Sequence, residues 1–210
     1  MEGVLHEYHL PYDKKRPVLC FDERPCQLLK DVVQPLETCP GMVKKEDYKY
    51  DRNGTCVILL AVDPLTGKRI VEVSKRKTRE DYARFINKVS KAYKDAEKIV
   101  LIQDNLNTHH PSSFYKKFSP KKAFDLMRHF NMVYTPKKAS WLNMAEIEFS
   151  ALSKQCLDRR IGSLSEMEKE VSAWTKLRNK RKIKINWQFT KIDARKKMTR
   201  HYNNIRNNKS

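Results

Sequence analysis

Residues 98–110, KIVLIQDNLNTHH, constrain the fold more than any other stretch of this chain. Ile99, Val100, Leu101 and Ile102 are consecutive, apolar and β-prone. Such a run, with no polar alternation, reads as a strand buried on both faces, and therefore as part of a sheet covered by helices on each side. The run stops on Gln103, Asp104 and Asn105. A carboxylate at the end of a core strand is costly unless something there binds it.

The neighbouring segments supply the rest of such a sheet. Residues 18–21 are apolar and β-prone and lead to Asp22, with Pro25 closing the stretch, so a second strand is predicted to carry an Asp near its end. Residues 31–54 are polar, with Pro35, Pro40 and Gly41, and read as an excursion. TCVILLAV (55–62), the turn DPLTGK (63–68) and RIVEVS (69–74) form a hairpin. Thr78 is placed to cap a helix whose apolar face is Tyr82, Phe85, Ile86, Val89 and Tyr93. Further helices are predicted over 119–130, 142–160 and from about 165, the last with a stripe of Leu164, Met167, Val171 and Trp174, and 131–136 reads as a short strand. A hairpin followed by alternating helices and strands gives an α/β fold, a mixed sheet with helices on its faces.

The charge points to the partner. The chain has 44 Lys+Arg against 25 Asp+Glu over 210 residues, a net +19. That excess favours a polyanion, nucleic acid first. Residues 176–209 hold thirteen of the basic residues and one acid, Asp193. Contacts from such a segment to a phosphate backbone are sequence-blind and salt-sensitive. Trp187 and Phe189 punctuate it, so part of it is expected to pack on the body. The five cysteines contain no C-x-x-C pair and are odd in number, which argues against a zinc knuckle and a disulfide framework and for reduced thiols. The longest apolar run, CVILLAV, is far too short to span a bilayer, and no membrane association is expected. Five glycines and an LTGKR stretch without phosphate-cradling spacing argue against a P-loop phosphotransferase.

Two predicted strands thus end in Asp, at Asp22 and Asp104. Sites in open α/β sheets gather at the carboxyl ends of strands. If these strands are neighbours, the two carboxylates repel each other unless a cation neutralises them, and Mg²⁺ takes oxygen ligands of this kind. A third ligand is expected from the helix that carries Glu146 and Glu148. Two residues apart on a helix means about 200°, so one of the two faces the site, and spacing does not decide which. The structural alternatives are a capping box between Asn143 and Glu146, and local turn bonds for the strand-end acids. Glu23 falls on the opposite strand face from Asp22 and reads as structural. Trp141 reads as a buried aromatic at the helix entry, with stacking on DNA the alternative. His110 reads as an ordinary loop residue.

CFDERP, LIQDNLNTHH and YTPKKASWLNMAEIE, in this order, resemble the transposases of bacterial insertion sequences of the 630 type, in the mariner superfamily. The resemblance runs from about Pro11 to Tyr202, and S-W-L-N-M-A-E is its most specific part. It implies an RNase H-like fold with a D-D-E triad that holds two divalent ions, Mg²⁺ or Mn²⁺. Asp22 and Asp104 match the two aspartates, and Glu146, rather than Glu148, matches the acid of the L-N-x-x-E motif. Asn105, His109 and Asn143 become supporting candidates; Asn105 and His109 would orient metal waters or the scissile phosphate. The implied chemistry is cleavage and transfer of DNA strands, with excision of the element and insertion at TA.

The implied partner is double-stranded DNA, as transposon ends and target, gripped by Lys137, Lys138, Arg195, Lys196, Lys197 and Arg200. A homodimer or larger synaptic assembly, in the nucleoid of a bacterial or archaeal cytoplasm, follows from the same resemblance. Members of the family carry an N-terminal helix-turn-helix region; this sequence starts at the linker into the catalytic domain, which leaves open a truncated copy or that region on another chain or reading frame. The expected organisation is a linker or arm over 1–16, an RNase H-like catalytic domain over 17–182, and a basic tail over 183–210.

Overall fold

The computed structural model describes residues 1–33, 40, 48–137, 139–200 and 203. Among them, strands β1 Val18–Asp31, β2 Tyr50–Val62, β3 Arg69–Ser74, β4 Ile99–Gln103 and β5 Phe130–Tyr134 form one sheet in the order β3-β2-β1-β4-β5. The first three make an antiparallel meander, and β4 and β5 add in parallel beside β1. The predicted mixed sheet is present, with β1 at its centre next to β4.

Helices α1 Glu2–His9, α2 Arg79–Ala92, α3 Phe114–Lys117, α4 Pro120–His129, α5 Ala145–Gln155, α6 Leu164–Lys180 and α7 Lys191–Lys197 surround it. Strand alternation divides the core between the two faces. Val18, Cys20, Ile58, Leu60, Val100 and Ile102 pack with Leu5, Phe149, Leu152, Val171 and Trp174 from α1, α5 and α6. Leu19, Phe21, Leu59, Ile99 and Leu101 pack with Tyr82, Phe85, Ile86 and Val89 of α2 and with Phe114 and Leu126. The four apolar residues of β4 are thus shared between both cores, and all four are fully buried.

Local signals set several element ends. Thr78 Oγ1 accepts a hydrogen bond from Asp81 N at 3.1 Å and starts α2 as expected. Ser163 caps α6 in the same way. In the hairpin turn, Asp63 Oδ1 accepts from the amides of Leu65 and Thr66 at 3.0 Å. Gly67 adopts φ +74° there, and a Cβ would stand 2.7 Å from Ile183 O, so this position requires glycine.

Three expectations are corrected. Pro25 does not end β1, which runs on to Asp31 and stays paired with β2. Pairing with β4 stops at Cys20 and Ile102, so later residues of β1 have an open edge, where a missing N–H is tolerated. The excursion is correspondingly shorter, since β2 already begins at Tyr50; residues 34–39 and 41–47 lie outside the described residues. Finally, residues 2–9 of the expected linker form α1, which buries Val4 and Leu5 and packs against α7. At the C-terminal end, Ile185, Trp187 and Phe189 pack on the α5 face of the core and α7 buries Ala194.

Candidate active site

Register puts Asp22 and Asp104 side by side. Cys20 pairs with Ile102 in the parallel β1–β4 ladder, and each acid follows two residues later. Both therefore stand at the same level, just past the point where the ladder parts: Asp104 follows the end of β4, whereas Asp22, expected near a strand end, lies within β1 and stays paired with Leu60 of β2. By alternation Asp22 shares the face of Val18 and Cys20, on which α5 packs.

Helix α5 brings Glu146 to this end. Buried Asn143 makes the connection: its Nδ2 donates to Phe21 O at 2.7 Å and its Oδ1 accepts from Ala145 N at 3.2 Å. The helix begins at Ala145, and Asn143 N donates to Ser140 O at 2.7 Å, so Asn143 and Glu146 do not form a capping box. Glu146 is exposed in the first turn.

Glu148 has a different environment. It is fully buried, and its two oxygens accept from Arg69 at 2.6 and 2.7 Å and from Arg178 at 3.1 and 2.9 Å. Burial alone would raise its pKa, but the two guanidiniums hold the carboxyl below its ordinary value. Its bonding is fully used in joining α5 to β3 and α6.

Asp22 is half-buried, and its carboxyl is pushed up to about 7. Burial is the main cause, and the charges of Glu146 and Asp104 add to it against a hydrogen bond from Glu23 N at 2.8 Å. Asp22 thus feels both other acids. The three are not drawn into a ligating cluster: among the described residues, no group of three His, Cys, Asp or Glu is close enough to hold a metal ion. The donor set is nonetheless suited to one. All three are oxygen donors, and at Asp22 burial and the charges of Glu146 and Asp104 outweigh the Glu23 amide and His109, so a cation would relieve the carboxylate.

Asp104 Oδ1 has a close charged neighbour, His109 Nδ1 at 2.5 Å. His109 is completely buried, and its Nε2 lies 3.1 Å from Glu23 Oε1, which also meets Lys77 Nζ at 2.5 Å. Burial by itself would lower the imidazole pKa, yet Asp104 and Glu23 raise it to about 9. Asn105 is exposed, as is Lys137, and Lys138 lies outside the described residues. His110 is exposed and its Nδ1 accepts from Ser112 N at 3.2 Å, a loop role.

Trp141 departs from its expected burial. It is half exposed, edge-on to Phe189 with centroids 5.2 Å apart, and so carries the C-terminal segment beside the entry to α5. Lys196, Lys197 and Arg200 are exposed, while Arg195 reaches Glu2 of α1 at 2.7 and 2.9 Å. Sequence reasoning overlooked Tyr8 of α1, whose hydroxyl donates to Leu142 O at 2.7 Å and accepts from Met144 N at 3.4 Å, holding the loop that delivers Glu146. No sequence signal marks it, because its partners are 134 and 136 residues away.

Comparison with known proteins gives this geometry a context. Residues 17–168 match the family described as DDE superfamily endonuclease. No curated protein matches the chain in sequence. Among solved structures, the Mos1 transposase paired-end complex with left transposon end aligns with TM-score 0.55 and 12% identity over 80% of this chain and 51% of that one. The Mos1 mariner paired end complex with Mn aligns with TM-score 0.56 and 14% identity over 87% and 55%. The Mos1 strand transfer complex gives 0.55 and 12% over 87% and 55%. The chain spans a little over half the length of these proteins, and the likeness establishes the shared RNase H-like fold.

Proposed function

Because this chain belongs to the DDE superfamily endonucleases, we propose that it is the catalytic domain of a DNA transposase, which cleaves DNA at the ends of a mobile element and joins the freed strands to target DNA. The observation that carries this reading is the level placement of Asp22 on β1 and Asp104 just past β4, with Asn143 tying the start of the helix that carries Glu146 to the residue before Asp22. The Mos1 complexes with transposon ends support the choice of substrate.

In this reading Asp22, Asp104 and Glu146 hold two divalent ions, Mg²⁺ or Mn²⁺. Such ions, when bound, activate the attacking oxygen and stabilise the leaving oxygen of a phosphoryl transfer. The residues themselves do the positioning. Asp22 and Asp104 are fixed by adjacent strands, so their spacing is set by the sheet. Glu146 closes the set from a helix anchored on β1. No covalent intermediate with the protein is needed. The exposed cations Lys137, Lys196, Lys197 and Arg200, with Arg195, line the DNA approach, and Lys138 shares that role in the sequence. Two or more copies act together on paired ends, at a TA target, with end recognition by a helix-turn-helix region.

The test is cleavage and strand transfer with Mg²⁺ or Mn²⁺ on duplexes bearing candidate element ends, supplied with and without an upstream DNA-binding region. Cleaved and joined products that vanish in Asp22→Asn, Asp104→Asn and Glu146→Gln support the proposal. Cleavage that never proceeds to joining identifies a nuclease instead. DNA binding with no cleavage under any of these conditions overturns the catalytic reading.

A further inference from the structure

His109 has every part of its ring engaged. Nδ1 meets Asp104 Oδ1 at 2.5 Å and Nε2 meets Glu23 Oε1 at 3.1 Å. One face stacks on Tyr82 with centroids 5.0 Å apart, and Phe21 stands edge-on at 5.1 Å. Its carbonyl accepts from Gln103 Nε2 at 2.9 Å, and Gln103 is held in turn by the Tyr82 hydroxyl at 2.9 Å. The side chain has no solvent exposure. A ring so enclosed does not reach a DNA phosphate or a solvent molecule. What it does touch is a strand-end carboxylate that remains one-third exposed.

Glu23 completes the arrangement from the other side of β1. It is adjacent to Asp22 but points to the opposite face, where its side chain is 3% exposed. Two partners accompany the carboxylate there: the His109 imidazole and the Lys77 ammonium, whose Nζ lies 2.5 Å away at the entry to α2. A continuous chain of contacts, Lys77–Glu23–His109–Asp104, therefore runs from the entry of α2 past β1 to the end of β4.

We infer that Glu23 and His109 are positioning residues for Asp104, the imidazole occupying Oδ1 so that the carboxylate presents its other oxygen to the site at a fixed angle. This rests on the proposed role of Asp104 as a metal ligand. A histidine bridging a ligand carboxylate and a second carboxylate restricts rotation of the ligand, and loss of such outer partners typically weakens metal binding by about 10–100-fold. Lys77 holds Glu23 in place from the solvent side.

The experiment measures Mn²⁺ binding by the full chain without DNA, by paramagnetic resonance of the free ion, for wild type, Asp104→Asn, Glu23→Gln and His109→Gln. Melting curves identify the folded variants. Glu23→Gln preserves shape and is the variant to rely on if His109→Gln fails to fold. The expected result is strong loss of binding in Asp104→Asn and a fall in affinity of roughly tenfold in Glu23→Gln. DNA cleavage by Glu23→Gln should recover at saturating Mn²⁺, which a general loss of structure would not allow. Wild-type affinity in Glu23→Gln, with Asp104→Asn defective, overturns the positioning role and leaves the metal site standing. Wild-type affinity in Asp104→Asn overturns the metal role of Asp104, and the positioning role with it.

Discussion

Asn143 Nδ2 donates a 2.7 Å hydrogen bond to the carbonyl oxygen of Phe21, the residue before Asp22. This contact joins the start of α5 to the central strand at the level of the site, although the two residues are 122 positions apart. It gives the L-N-x-x-E pattern a physical meaning: Asn143 anchors the loop before the helix, and Glu146 stands in the first turn of α5. Replacing Asn143 by Ala leaves a buried carbonyl and the Ala145 amide without this partner, a cost of about 1–3 kcal/mol for each unsatisfied group. Asn143→Ala is expected to lower the melting temperature and to reduce cleavage further than the lost stability explains. Cleavage rates measured well below the melting range test this, and a rate equal to wild type refutes it.

The two glutamates of α5 should separate function from stability. Glu146 is exposed, whereas Glu148 joins two buried arginines. Glu146→Ala should abolish cleavage with an unchanged melting temperature. Glu148→Ala should destabilise the fold by about 3–5 kcal/mol, because it strands the charges of Arg69 and Arg178. Denaturant unfolding and cleavage assays on the same two proteins check both halves. The prediction fails if the two losses are interchanged.

The same group gives a pH dependence of stability. Burial opposes ionisation of Glu148, but Arg69 and Arg178 win and its folded pKa lies below the ordinary value. A depressed folded pKa means that the unfolded chain takes up the proton first as pH falls. The contribution is therefore complete above the ordinary glutamate value of about 4.3 and disappears as the pH drops through the folded value. Wild type should lose stability over that acidic window more steeply than Glu148→Gln, and the two melting curves should approach each other there. Parallel pH profiles would show that the pair contributes nothing.

What the sequence revealed depended on the range over which each signal acts. The run Ile99–Ile102 displays its two-sided burial in four consecutive residues, and the α2 stripe repeats within its own helix. Asp22, Asp104 and Glu146 stood out because carboxylates are conspicuous beside apolar strands and in a dense motif. The chain Lys77–Glu23–His109–Asp104 did not, since it closes through a contact 86 residues apart. Pro25 misled because a proline reads as a strand end unless the open edge is known. Helix α1 was read as a linker because eight residues with two glutamates and two histidines carry little periodicity, and its partners are supplied by the far end of the chain.

That helix is open to a direct test. Leu5 is fully buried, and the Tyr8 hydroxyl bridges Leu142 O and Met144 N. Leu5→Ala should cost about 2–5 kcal/mol, as for other large-to-small core changes. Tyr8→Phe should cost about 1–3 kcal/mol by leaving its buried partners unsatisfied. Unfolding by denaturant measures both. A chain lacking residues 1–9 that unfolds like wild type would mean that α1 adds nothing to the domain.

The basic C-terminal segment should set how the chain grips DNA regardless of sequence. Its exposed cations cluster on and just after α7, which is fastened by Arg195 to Glu2 and through Phe189 to Trp141, beside the helix that carries Glu146. Each phosphate neutralised releases counterions, so the log–log slope of affinity against salt should fall by roughly 0.9 for each contact removed. Replacing Arg195, Lys196, Lys197 and Arg200 with neutral residues should flatten the slope and weaken two unrelated duplexes alike, because backbone contacts carry no base information. Arg195→Gln alone also removes the ion pair with Glu2, so unlike Lys196→Gln it should show in the melting curve as well. Binding of both duplexes across a salt series gives the answer: an unchanged slope in the fourfold variant would move the DNA track elsewhere, to residues 75–79 or to Lys137 and Lys138.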